Sequence, residues 1–257
     1  MKYLSVLLIH ALLTLNKFPL SLSSFDYDVS ARVQEKIVDF LTEISRACIV
    51  PTRILKFGTR LIENVTFDPR TILYPTSVIY SESINGIYIC LRDGSFYFYG
   101  DGGQRYEYTP ALVDNPYSIT YQYNTYMNGS IMSFSGNYSY YCKDRPWYQS
   151  ALLLPNSVWS EPYLNYGDNI PVITLSQQLS LSLGTHSIFF LNGVIAADIY
   201  LSQLNQFLVS SFAESGKFVY IVDRATLFLL GTSSNISYTN GKTLTAVSVL
   251  DIILAHV

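Results

Sequence analysis

Histidine is scarce in this chain. Only His10, His186 and His256 occur in 257 residues, too scattered for a histidine-centred metal site or a catalytic triad, so neither a metal nor any other cofactor is expected. The carboxylates Asp144, Glu161 and Asp198 lack a partnered histidine, which weakens the reading as an exported hydrolase. Charge is also sparse. Charged residues make up 14%, and Lys+Arg 16 against Asp+Glu 19 gives a net charge of −3, which offers no basic surface to a nucleic acid backbone. Cysteine is limited to Cys48, Cys90 and Cys142. Such an odd set allows one disulfide with a thiol left over; buried thiols serving as small apolar side chains are the alternative. Beyond the N-terminus no apolar run reaches the roughly 18 residues of a membrane helix, because Asn192 and Asp198 interrupt one run and Asp251 another.

Apolar and aromatic side chains are abundant. Hydrophobic residues are 49% of the chain, with 22 Tyr and 14 Phe. That excludes a disordered chain and favours pleated sheet, whose half-buried surface suits aromatic rings. At the start, Lys2 precedes a short apolar run that Asn16 and Lys17 interrupt, and the small residues Ser21, Ser23 and Ser24 follow. This order predicts a signal peptide over residues 1–24 and an exported mature chain. Four Asn-x-Ser/Thr sequons, at Asn64, Asn128, Asn137 and Asn235, are candidate glycosylation sites of such a chain.

Residues 25–63 carry Val33, Ile37, Phe40, Leu41, Ile44 and Cys48 at helical spacing, so a long helix is expected, kinked at Pro51. From Thr71 the period changes to strand-like alternation. Ile87–Leu91 and Phe96–Tyr99 flank Asp93-Gly94, where glycine supplies the positive φ of a tight hairpin turn. Ile199, Leu201, Leu204, Phe207, Leu208 and Phe212 return to helical spacing. Phe218–Val222 and Leu227–Leu230 then read as a second hairpin. The resulting division is a β-rich module over 64–200, followed by a linker helix and a partial second module over 201–257; too few residues remain to complete that module, so the chain reads as truncated.

The most unusual composition lies at Tyr140-Tyr141-Cys142-Lys143-Asp144-Arg145-Pro146-Trp147-Tyr148, followed by Val158-Trp159-Ser160-Glu161-Pro162-Tyr163. Arg145, both tryptophans and several tyrosines crowd together. A guanidinium fork recognises a carboxylate bidentately, an indole N–H adds a donor, and aromatic faces hold an ammonium. Asp198, ending the run Gly193-Val194-Ile195-Ala196-Ala197, would complete an amino-acid site. The competing reading is that the Arg-Pro-Trp-Tyr group merely locks a loop onto the sheet.

These two blocks, then Ile173-Thr174-Leu175-Ser176, then Gly193–Leu201, resemble in order and spacing the consecutive blocks of a double Cache extracellular sensor domain. The resemblance is strong from about Tyr140 to Leu230 and architectural before that. It implies an α/β (α+β) fold, in which a long N-terminal helix leads into a PAS-like antiparallel-sheet module that holds the ligand. A second module, leading to a membrane span, would follow. It is most similar to the subgroup that binds free amino acids or related amines. Tyr140, Arg145 and Trp147 match the positions that hold the ligand carboxylate, and Tyr148, Tyr163 and Asp198 match the rest, with Asp198 and the tyrosines on the ammonium. Tyr141-Cys142 stands where the subgroup has Asp-Pro, and Ala225-Thr226 where a turn glycine is usual.

The function expected is therefore a non-enzymatic, extracellular, ligand-binding sensor of a signalling receptor. It would be anchored to a membrane through a segment outside this chain, with a cyclase or kinase effector conceivable there and a homodimer through the long helix open to it. The alternative is a secreted or cell-surface adhesion protein whose aromatic groove binds carbohydrate, which needs no pairing of Arg145 with Asp198.

Overall fold

The computed structural model describes residues 27–61, 68–111, 118–182, 190–212, 219–222 and 229–233. The signal peptide, Asn64, Asn235 and the turn between the last two strands lie outside the described residues. The chain divides into two compact units: Met1–Leu41 with Pro162–Val172 and Tyr200–Val257, and Thr42–Glu161 with Ile173–Ile199.

The first helix, α1 (Tyr27–Leu61), continues through Pro51, so the two helical segments expected on either side of that residue form one element. Pro51 removes one N–H from the ladder. The next residue, Thr52, returns its hydroxyl to the Cys48 carbonyl at 2.9 Å, and Ala47, Cys48, Pro51 and Thr52 are all buried. Burial on both sides of the proline holds the segment helical.

Residues 70–79 are also helical, where strand-like alternation was expected. In α2 (Arg70–Ile79), Leu73, Thr76 and Ser77 form the buried face, the i, i+3, i+4 spacing of a helix. Its β-branched content and Pro75 hide that period in the sequence. Asp68 starts the helix: its Oδ1 accepts the Arg70 N–H at 3.0 Å, and the Thr71 hydroxyl donates to its carbonyl at 2.8 Å.

The second unit is built on the antiparallel sheet. Its strands are β1 (Gly86–Leu91), β2 (Phe96–Gly100), β3 (Arg105–Thr109), β4 (Ile119–Thr125), β5 (Ile131–Ser139), β6 (Val158–Trp159), β8 (Pro171–Ser182) and β9 (Phe190–Tyr200). They lie in the order β5-β4-β3-β2-β1-β9-β8-β6. The expected β1–β2 hairpin forms, with Gly94 at φ +87°. Alternating side chains give two faces. One is a tyrosine ladder in which Tyr99 packs on Tyr106 and Tyr106 on Tyr123; α2 covers it through Tyr74, whose ring meets Tyr99 edge-on at 5.6 Å. The other face carries Tyr88, Phe96 and Phe98. Helix α3 (Pro146–Leu152) packs Trp147 onto that face, with Pro146 at the helix start, where a missing N–H costs nothing.

In the first unit, the short strand β7 (Tyr163–Leu164) pairs with the start of β8. Helix α4 (Leu201–Phe212) buries Leu201, Leu204, Leu208 and Phe212, as the spacing predicted, and Phe207 stacks on Phe40 at 4.2 Å. Strands β10 (Tyr220–Val222) and β11 (Leu229–Thr232) form the expected antiparallel pair. The fold is thus mixed α+β, with a long helix, a large antiparallel sheet and a small second sheet.

Candidate functional site

Strand β9 lies between β1 and β8. Its residues Val194 to Ala197 and Ile199 have no exposed surface, and Asp198, 4% exposed, is the charge set among them. A carboxylate so placed needs partners. Asp198 Oδ1 accepts the Thr174 hydroxyl at 2.5 Å and also the Tyr88 hydroxyl. The tyrosine arrives by register: Asp198 pairs with Gly86 and Ala196 with Tyr88, so Tyr88 and Asp198 occupy adjacent positions on one face.

The loop before α3 reaches the same face. The Trp147 ring, 1% exposed, lies edge-on to Tyr88 at 4.7 Å, and its indole donates to the Tyr140 hydroxyl. Tyr140 rests on Phe96 at 5.0 Å. The Arg145 guanidinium lies 5.9 Å from the centre of the Tyr140 ring, a cation–π arrangement. Burial pushes the Tyr140 phenol up despite the opposing Arg145 charge, so it stays a neutral donor at physiological pH. Between Tyr140 and Tyr141, the structure sets Tyr140 beside Arg145, while Tyr141 lies under Lys143.

Tyr140, Arg145, Trp147 and Asp198 are therefore gathered around one aromatic surface. Tyr148 is buried against Trp147 and donates its N–H to the Arg145 carbonyl at 3.1 Å. Apart from Tyr141, the charged groups that bear on its hydroxyl are Lys143, Arg92 and Asp93, near the β1–β2 turn. Tyr163 belongs to the other unit, in β7. Tyr88 and Thr174, which hold Asp198, carry no site signal of their own in the sequence: Tyr88 is revealed by the register of β1 with β9 and Thr174 by its bond to Asp198.

Cys90 and Cys142 form a disulfide, and Cys48 is free and buried. Burial, reinforced by the Asp198 charge, pushes the Cys48 thiol up, which leaves it inert. Among the described residues no group of three metal-ligating side chains comes together, and no helix is long and apolar enough to cross a membrane. Of the two described sequons, Asn128 is exposed and its side chain accepts the Ser130 N–H at 3.0 Å; Asn137 is exposed on β5.

No curated protein matches this chain. Solved structures do. The sensory domain of the Campylobacter jejuni chemoreceptor Tlp3 with isoleucine bound superposes with a TM-score of 0.53 at 15% identity, covering 89% of this chain and 76% of that one. The same receptor's ligand-binding domain in complex with L-valine gives 0.51 at 14% identity, covering 82% and 73%. This chain spans 62% of a further Tlp3 sensory-domain structure. These likenesses fix the fold, that of a chemoreceptor sensor. The model of one sensor-domain family matches residues 76–206, which include α3, Arg145, Trp147 and Asp198. The chain belongs to the methyl-accepting chemotaxis protein-like family as its first PDC sensor domain, a family of sensors displayed on the outer face of a membrane.

Proposed function

We propose that this chain is the ligand-binding part of a signalling receptor and that it takes a free α-amino acid or related amine. The ligand carboxylate would lie on Arg145, Tyr140 and Trp147, and its ammonium on Asp198. The observation that carries this reading is that a guanidinium and a buried carboxylate address one aromatic surface, with Trp147 and Tyr88 in contact between them. A zwitterion needs charges of both signs at fixed separation, and a partly desolvated aromatic site makes each charge count. A loop anchor would need the tryptophan but not the buried acid. The Tlp3 domains with isoleucine and L-valine bound support the same ligand class.

The disulfide is compatible with an exported chain, since such bonds persist in oxidising compartments. Export behind the signal peptide, a start of the mature chain near Ser24, glycosylation at the sequons and a membrane anchor beyond this chain belong to the same proposal. A thermal-shift screen of the common amino acids, with sugars as controls, tests it. A ligand at a hundredfold excess over its Kd stabilises by about 2.7 kcal/mol, several degrees in Tm. At least one amino acid should do this and no sugar should; a sugar hit alone would favour the adhesion reading.

A further inference from the structure

The sheet face that carries Asp198 holds a second buried carboxylate. Register places Ala196, Tyr88, Phe98, Glu107 and Gln122 in one row across β9, β1, β2, β3 and β4, and Asp198, Gly86, Gly100 and Arg105 in the next. Directly opposed residues of antiparallel strands point to the same side, so Glu107 and Arg105 share the face of Tyr88 and Asp198. Three strand spacings, about 14 Å, separate β9 from β3. The strip between is floored by the Phe98 ring: a Cβ on Gly86 or Gly100 would meet it at 2.4 or 2.5 Å. The Arg105 guanidinium lies 5.0 Å from the centre of that ring.

Glu107 is 6% exposed. Its Oε1 accepts the Gln122 side-chain amide at 3.0 Å and its Oε2 accepts the Tyr138 hydroxyl. The Tyr138 ring meets Tyr140 at 6.1 Å, so two neighbouring tyrosines join Glu107 to the residues gathered around Arg145. The charges do not balance. Arg105 Nε is 3.3 Å from Asp101 Oδ2 and 3.6 Å from Glu107 Oε1, so one cation stands between two carboxylates, and that nitrogen makes no hydrogen bond to either. A buried acid whose charge is incompletely met costs stability, and it marks a functional candidate when it faces a ligand surface. A cation arriving at this end of the face would supply the missing charge.

We propose that Glu107, with Gln122 and Tyr138, is the subsite for the ligand's side chain, and that it selects an α-amino acid whose side chain ends in an ammonium or guanidinium group. This rests on the amino-acid reading above. Calorimetry with L-lysine and L-norleucine, which differ by the terminal amine, tests it on three proteins. Wild type should bind lysine at least about tenfold tighter, the scale of one desolvated charge pair. Glu107→Gln should bring the two ligands to similar affinity, chiefly by weakening lysine. Gln122→Lys, at a half-buried position, puts a resident ammonium against Glu107 Oε1 and should erase the preference in the same way, which keeps the test open if Glu107→Gln fails to fold. Wild type binding norleucine as tightly as lysine, or a preference that survives in the folded variants, overturns the subsite and leaves the amino-acid reading standing. Wild type binding no amino acid overturns both.

Discussion

Cys90, within the middle strand β1, is bonded to Cys142 across a sequence separation of 52, and Cys142 opens the 3-10 turn that ends at Arg145, whose N–H donates to the Cys142 carbonyl at 3.2 Å. The loop bearing Arg145 is thus held to the sheet three times: Tyr140 on Phe96, Cys142 on Cys90 and Trp147 on Tyr88. Cys142 thus carries part of the anchoring of this loop.

Breaking that bond should cost stability chiefly by freeing the unfolded chain, about 4 kcal/mol for a loop of this length. The double variant Cys90→Ala, Cys142→Ala, compared with wild type by denaturant unfolding, should show a loss of this size. Thiol titration of the denatured wild type should find one reactive cysteine, Cys48; three would show that the bond does not form.

Trp147 and Arg145 should separate by what they fill. Trp147→Ala empties a fully buried indole site and should cost about 3–5 kcal/mol. Arg145→Ala, at a half-buried position, should leave unfolding within about 1 kcal/mol of wild type while removing ligand binding. Equal destabilisation by both would return Arg145 to a loop-anchoring role.

Burial raises the Glu107 carboxyl above the usual carboxylate range, against the pull of Arg105, with Asp101 adding to the rise and with Tyr138 and Gln122 as its hydrogen-bond partners. A folded-state pKa above the unfolded one means that its contribution is fully present below about pH 4 and is lost as pH rises toward the folded value. Glu107→Gln removes that slope. The Tm of the variant should therefore gain on that of wild type from pH 4 toward neutrality; a constant difference would contradict the assignment.

Asp68 behaves in the opposite sense. Hydrogen bonds from the Arg70 side chain, together with its N–H, hold the Asp68 carboxyl below the usual range, so its contribution is present above the unfolded value and lost as pH falls through the folded one. Asp68→Asn should cost about 0.5–1 kcal/mol at neutral pH, a helix-start effect that solvent exposure of the ion pair keeps small. Helix content and urea unfolding measure it.

Much of this was legible in the sequence because local patterns and tertiary structure agree. The β1–β2 hairpin announced itself through Asp93-Gly94, α4 through the spacing of Leu201, Leu204 and Leu208, and the grouping of Arg145 with Tyr140 and Trp147 through their crowding in the sequence. Helix α2 was hidden because Ile72, Thr76 and Val78 favour strands while its start depends on Asp68, a residue outside the periodic segment. At Pro51 the helical pattern on both sides was legible, and the burial of Ala47, Cys48 and Thr52 that keeps the element continuous was not. Tyr88, Thr174 and Glu107 were illegible because their roles depend on strand register, which no short window contains.

In the proposed complex Asp198 receives the ammonium of a zwitterion whose carboxylate lies on Arg145. Calorimetry of the best amino-acid ligand and its deaminated analogue, on wild type and Asp198→Asn, tests it most directly. Wild type should prefer the amino acid, and Asp198→Asn should weaken its binding by about 2–5 kcal/mol while the deaminated analogue binds both proteins alike. Equal affinity of wild type for the two ligands, or an equal loss for both in Asp198→Asn, would contradict it.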